Sequence, residues 1–165
     1  MKRLFTLRVA SRVTAGLFIC VLGLSFARVG QGASWNRIEP LKSRRAEVLE
    51  ILGPPVSEGA DGALRFNVMG GSVQISFVDQ KFVIAKKLKP ELEGTVLQII
   101  LQHERSSDTP ESMKLLKNSA FVRDEKQNIS IFRNPKDGIV YTFIDGKLKT
   151  TRYTFADGQL VRARR

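Results

Sequence analysis

Cysteine is almost absent from this chain. Cys20 is the only one in 165 residues, and it lies inside an apolar run. Disulfide staples and thiolate metal sites are excluded for the rest of the chain, so stability has to come from a packed core. Histidine is equally scarce, with His103 alone. A Ser–His or Cys–His nucleophile would have to use that ring, and no motif marks an oriented nucleophile beside it. Because it abuts an apolar strand, His103 is expected to be structural. HExxH, P-loop and GxGxxG patterns are missing, and Gly70-Gly71-Ser72 lacks the downstream glycine of a nucleophile elbow. The chain is therefore expected to be no enzyme, with no catalytic residue, no cofactor and no metal.

Acidic residues are missing from the first 32 positions. Lys2, Arg3, Arg8 and Arg12 precede an unbroken apolar run over 15–27, which is shorter than the roughly 20 residues that span a bilayer. Residues 1–33 read as a signal peptide with cleavage near 32–34. This implies export, periplasmic or secreted, with no transmembrane helix after processing. Cys20 sits too deep in the apolar run to be a lipidation site. Five basic residues and no acid lie in 1–32, so the formal charge of +11 falls to +6 without them. Much of the basicity is targeting signal. Residues 34–165 are enough for a single α+β domain.

What remains is rich in alternation. Residues 35–40 read as an extended lead-in whose Trp35 seals a core edge. Ser43 reads as the N-cap of a helix carrying Val48, Leu49 and Leu52. That helix ends at Gly53, before Pro54-Pro55. Arg44 and Arg45 oppose the helix dipole in its first turn. Residues 57–62 read as a loop, 64–68 and 72–78 as strands about a Gly70-Gly71 turn, and 81–87 as a third strand after an Asp79-Gln80 turn. The run over 96–103 reads as a buried central strand. A second helix is expected over 109–118, from Thr109-Pro110-Glu111, with Met113 and Leu116 on its apolar side. Residues 124–128 read as a loop. A meander follows over 129–133, 138–144 and 147–155, its last turn being Asp145-Gly146. Asp157-Gly158 reads as a turn before a frayed basic tail.

The window over 72–81 returns at 138–147: Phe77, Asp79 and Lys81 recur as Phe143, Asp145 and Lys147. The same offset of 66 matches Phe66 to Phe132. Two pseudo-repeats, about 43–104 and 109–165, are therefore expected, each a helix plus three strands. The fold class expected is α+β: an antiparallel sheet with short helices packed on one face.

The stretch Ser43-Arg-Arg-Ala-Glu-Val48-Leu-Glu-Ile-Leu52-Gly53-Pro-Pro55, followed by a meander, resembles the repeat of SmpA/OmlA-like and β-lactamase-inhibitor-like tandem α+β proteins. The chain is also similar to small uncharacterised secreted bacterial proteins with a Trp-x-x-Ile-x-Pro-Leu start and a Gly-Ile-x-Tyr strand, here Trp35 to Leu41 and Gly138 to Tyr141. The resemblance implies a short helix on an antiparallel sheet and a habit of binding proteins in the envelope. It carries over no catalytic residue.

Function is then expected on the surface. Ile139, Tyr141, Phe143 and Leu148 should face the helices, with Val73, Ile75 and Phe77. The opposite face should carry Thr142, Lys147, Lys149, Thr151 and Tyr153, together with Lys81 and Lys87. The leading expectation is an exported non-enzymatic protein-interaction module of the envelope or secretome. Its binding residues would be Lys81, Lys87, Thr142, Lys147, Lys149 and Tyr153, and its partner another envelope or extracellular protein. One alternative is a basic polyanion or lipid-surface binder, without specific nucleic-acid recognition. Another is a hydrolase using the loop carboxylates Glu91/Glu93 or Asp124/Glu125.

Overall fold

The computed structural model describes residues 32–165, so Cys20 and almost all of the leader read over 1–33 lie outside the described residues. Ala33 donates to the Asp137 carbonyl at 2.7 Å. The expected extended lead-in is instead a tight turn: Trp35 and Ile38 bridge each other, with Asn36 and Arg37 at positive φ. Helix α1 (Arg45–Leu52) follows. Its N-cap is Arg44 rather than Ser43, whose hydroxyl accepts from the Glu39 amide at 3.2 Å instead. The two arginines that oppose the helix dipole are held by neighbouring loops. Arg44 donates to the carbonyls of Glu91 and Glu93, and Arg45 to the Gly62 carbonyl and the Glu58 carboxylate. Gly53 ends the helix at φ 77° and donates to the Leu49 carbonyl, as its sequence implies.

The strands are β1 (Ser57–Glu58), β2 (Leu64–Val68) and β3 (Gly71–Phe77). Helix α2 (Gln80–Lys86) and a 3-10 turn (Pro90–Leu92) precede β4 (Val96–His103). Then come β5 (Val122–Lys126), β6 (Ile129–Asn134), β7 (Ile139–Ile144), β8 (Lys147–Thr154) and α3 (Asp157–Ala163). All eight strands form one antiparallel sheet in the order β1-β2-β3-β4-β8-β7-β6-β5. It is two four-stranded meanders joined where β4 meets β8. The fold is α+β.

Four expectations are corrected. Residues 81–87 are not a third strand, because Asp79 caps α2, accepting from the Phe82 amide at 2.7 Å. The matching Asp145 lies at φ 51° and is followed by Gly146 at φ 72°, a two-residue hairpin turn. Gln80 stands where Gly146 stands, and without a glycine the same Phe-x-Asp-x-Lys pattern starts a helix. Residues 109–118 form turns, not a helix. Thr109 does cap, accepting from Ser112, but Lys114 turns to φ 56° and ends the coil at once. This lets Met113 and Leu115, two apart, pack on the same cluster, while the expected Leu116 is 45% exposed. The loop expected at 124–128 is mostly edge strand β5, and the expected Asp157-Gly158 turn instead opens α3, which takes in Arg162 and Ala163 of the basic tail expected to fray over 162–165. The two halves are therefore not both a helix plus three strands. Phe66 and Phe132 nevertheless occupy corresponding strands of the two meanders, as do Phe77 and Phe143.

Three clusters form the core. Val48 of α1 and Ile38 pack with Leu64, Phe66, Val73, Ile75, Val96 and Ile99 of the sheet. Residues of the 113–121 segment cover Phe132, Phe143 and Leu148, with Phe132 and Phe143 edge to face at 5.6 Å. Helices α2 and α3 pack together through Val83, Leu88 and Ala163 at the end of the sheet where β3 and β8 finish. Among the described residues no helix is long and apolar enough to cross a membrane.

Candidate functional site

Strand alternation and the pairing register fix two faces for this sheet. The covered face carries the Leu64–Ile75–Ile99–Tyr153–Ile139 row and the Phe66–Val73–Leu101–Thr151–Tyr141–Phe132 row. The open face carries the alternate residues, and none of them belongs to any of the three core clusters. β4 is central, as its sequence implies, yet it is covered on one side only: Ile99 is fully buried while Ile100 is half-buried.

Between Thr142 and Phe143 the β7–β8 register shifts: Thr142 faces Thr150, but Phe143 faces Leu148. Lys149 is the extra residue, and such a bulge reverses the side on which later residues of that strand project. Thr151 is consequently 4% exposed on the covered face, and Tyr153 packs on the main core cluster. The expected outward face for Thr151 and Tyr153 is thus inverted.

The six expected binding residues are not brought to one surface. Lys81 and Lys87 belong to α2 and its C-cap at the end of the sheet. Lys149 is exposed at the bulge, and Tyr153 is turned inward. Only Thr142 and Lys147 share the open face.

The open face has its own pattern. One row across the sheet reads Val122, Arg133, Val140, Arg152 and Ile100, so aliphatic side chains alternate with guanidinium groups. The next row reads Asp124, Ile131, Thr142, Thr150 and Gln102. Ile100, Ile131, Val140, Thr142 and Thr150 form the floor of a shallow depression walled by Arg133 and Arg152. Val122 and Ile129 extend the apolar surface toward β5, at 58% and 37% exposure. Asp124 is the one carboxylate among the strand residues of this face, and it pairs with Arg133. Arg152, Arg65, Lys126 and Lys147 leave the face positive. The alternation of residues 139–144 already places Val140 and Thr142 opposite Tyr141. Arg133, Arg152 and Ile100 could not be added from sequence, because they join them only through inter-strand register.

His103, Thr151, Tyr141 and Tyr153 form a polar seam on the covered face. His103 Nε2 lies 2.9 Å from Thr151 Oγ1. Burial lowers the imidazole pKa from its ordinary value, opposed by the nearby Asp108 carboxylate. Burial raises both tyrosines, with proximity to Tyr141 adding to the shift of Tyr153. Asp124 and Glu125 do not face each other as a pair. They are adjacent strand residues projecting to opposite faces, bound to Arg133 and Arg123. Hydrogen bonds from Arg123 and Ser130 hold the Glu125 carboxyl below its usual range. Glu91 and Glu93 are exposed. Among the described residues no three His, Asp or Glu side chains gather as a metal-binding group.

No known family profile matches the chain, and no curated protein is significantly similar to it. Among solved structures it is similar to the crystal structure of an extracellular protein containing a SCP domain from Bacillus anthracis str. Ames. The TM-score is 0.39 and the identity 11%, covering 95% of this chain and 52% of that one. The chain spans about half the length of that protein.

Proposed function

We propose that the chain is an exported, non-enzymatic module that binds another protein through the open face of its sheet. The observation that carries this reading is the arginine-walled depression that exposes Ile100, Ile131 and Val140 beside Thr142 and Thr150. The solvated face of an antiparallel sheet is commonly polar, and contiguous exposed aliphatic groups on it mark an interaction surface more than scattered ones do. Here aliphatic groups stand half-exposed between cations. That combination suits a partner with an apolar centre and an acidic rim, since apolar contact supplies affinity and charge supplies steering. Export is supported by the basic and apolar character of residues 1–27.

The resemblance to SmpA/OmlA-like repeats is part of the same proposal. It is supported by α1 ending at Leu52-Gly53-Pro54-Pro55 and by Val48 packing on an antiparallel sheet.

The test is capture from envelope extracts of the exporting cell, comparing the wild type with Ile131→Asp. Ile131 lies outside the core, but the new carboxylate would face Asp124 of β5. The melting temperature should therefore fall by only a few degrees, and capture is compared well below both transitions. Capture should weaken roughly thirtyfold, the equivalent of about 2 kcal/mol for a central contact. Unchanged capture by a folded variant would remove the open face from the interface. Self-association of the purified chain, lost in the same variant, would make the occupant a second copy instead.

A further inference from the structure

Two sequence-distant basic segments meet at the end of the sheet. The residues after α2 run antiparallel to those after α3: Leu88 bridges Arg164, the Lys89 amide donates to the Ala163 carbonyl at 2.9 Å, and the Arg165 amide donates to Lys87 at 3.0 Å. Leu88 is fully buried beneath this contact, packed with Val83 and Ala163. The join gathers Lys86, Lys87, Lys89, Arg162, Arg164 and Arg165, all exposed. Lys86, Lys87, Lys89 and Arg164 have no ion-pair partner among the described residues. The acids nearest in sequence are Glu91, Glu93 and Asp157, three against six. On the same two helices Ile84 and Val161 project into solvent, each 68% exposed and each three residues before the joined ends.

We infer that this joined end of α2 and α3 docks the protein on an anionic phospholipid surface. Cations on long apolar stems reach the headgroup layer while their stems and neighbouring aliphatic groups settle toward the acyl boundary. Each cation near such a surface adds an increment of attraction, so Lys86, Lys87, Lys89 and Arg164 act together. A hydrated polyphosphate would satisfy the cations but gain nothing from Ile84 and Val161. Bases would find no exposed ring to stack on, because Phe82 and Phe155 are half-buried against each other with centroids 6.1 Å apart. The surface lies at the end of the sheet, so it leaves the broad open face accessible, and it stands independently of the protein-binding reading.

The test is co-sedimentation of the chain, as recovered from exporting cells, with vesicles of phosphatidylcholine alone or with about one-third phosphatidylglycerol. Binding is expected to the anionic vesicles only, falling as salt shortens the screening length. Lys86→Glu with Lys89→Glu should reduce it at least about tenfold. Ile84→Ser with Val161→Ser should reduce what persists at raised salt. Any N-terminal segment is common to all variants, so differences between them read the patch. If the first pair of substitutions lowers the melting temperature, Lys87→Glu with Arg164→Glu replaces it. Three results would overturn the inference. These are full binding by a folded charge-reversed variant, equal binding to neutral vesicles, or tight binding to inorganic polyphosphate combined with no effect of the Ile84 and Val161 changes.

Discussion

Tyr153 and Arg152 are neighbours on β8 and give the sharpest check on which face of the sheet is covered. Tyr153 faces Ile99 and Ile139 across its two partner strands and packs on the main core cluster. It is half-buried, so its truncation to alanine should cost about half of what a fully buried aromatic costs, roughly 2 kcal/mol. Arg152 is exposed on the other side, and its removal should stay within about 0.5 kcal/mol. With a urea m-value of about 2 kcal/mol/M, Tyr153→Ala should lower the unfolding midpoint by about 1 M, and Arg152→Ala by no more than about 0.25 M. Equilibrium urea unfolding followed by circular dichroism reads both. Equal midpoints, or a larger loss at Arg152, would mean that the Lys149 bulge does not reverse the strand, and the account of the open face would fail with it.

Three further outcomes are expected. Phe143→Ala removes a fully buried ring and its edge-to-face contact with Phe132, and should cost about 3–5 kcal/mol by the same unfolding measurement. Asp79→Ala should cost about 1 kcal/mol by removing the cap on the Phe82 amide, whereas Asp79→Asn should retain most of the stability; equal losses would deny the cap. Burial depresses the folded-state pKa of His103 below its ordinary value of 6.5, so its contribution is fully present above that pH and is lost as pH falls toward the folded value. The wild-type unfolding midpoint should therefore drop more steeply than that of His103→Gln between about pH 7 and about pH 5, and parallel slopes would contradict the shift.

Much of the sheet was legible in the sequence, because most of its strands alternate between turn residues and β4 is a single apolar run. β2, β3, β4, β6, β7 and β8 all fall where alternation and turn chemistry place them, and Asp145-Gly146 turns as its residues require. The errors share a cause: the deciding contact lies far away in sequence. Asp79 and Asp145 stand in the same local pattern, and one glycine separates a cap from a turn. α3 contains Gly158 in its first turn and has little helical propensity of its own. It is held by Leu160 and Ala163 against the α2 cluster, with Gln159 accepting from the Ala156 amide at 2.8 Å. β5 is a fully exposed edge strand with no hydrophobic alternation to announce it. The candidate site suffered most. A single extra residue at Lys149 moves Tyr153 from one face to the other, and Arg133, Arg152 and Ile100 become neighbours only once strands 50 residues apart are in register. The basic tail was visible as composition, but its meeting with the end of α2 was not.

The central claim is that a protein partner sits on the open face, and site-specific photo-cross-linking tests it most directly. A benzophenone side chain replacing Val140 lies in the floor of the depression, whereas one replacing Lys114 stands exposed in the segment over the covered face. In the exporting cell, the probe at position 140 should yield a discrete adduct with one protein, and Ile131→Asp in the same chain should abolish it. The probe at position 114 should yield none. The same adduct from both positions, or from position 114 alone, would contradict the assignment of the open face as the binding surface.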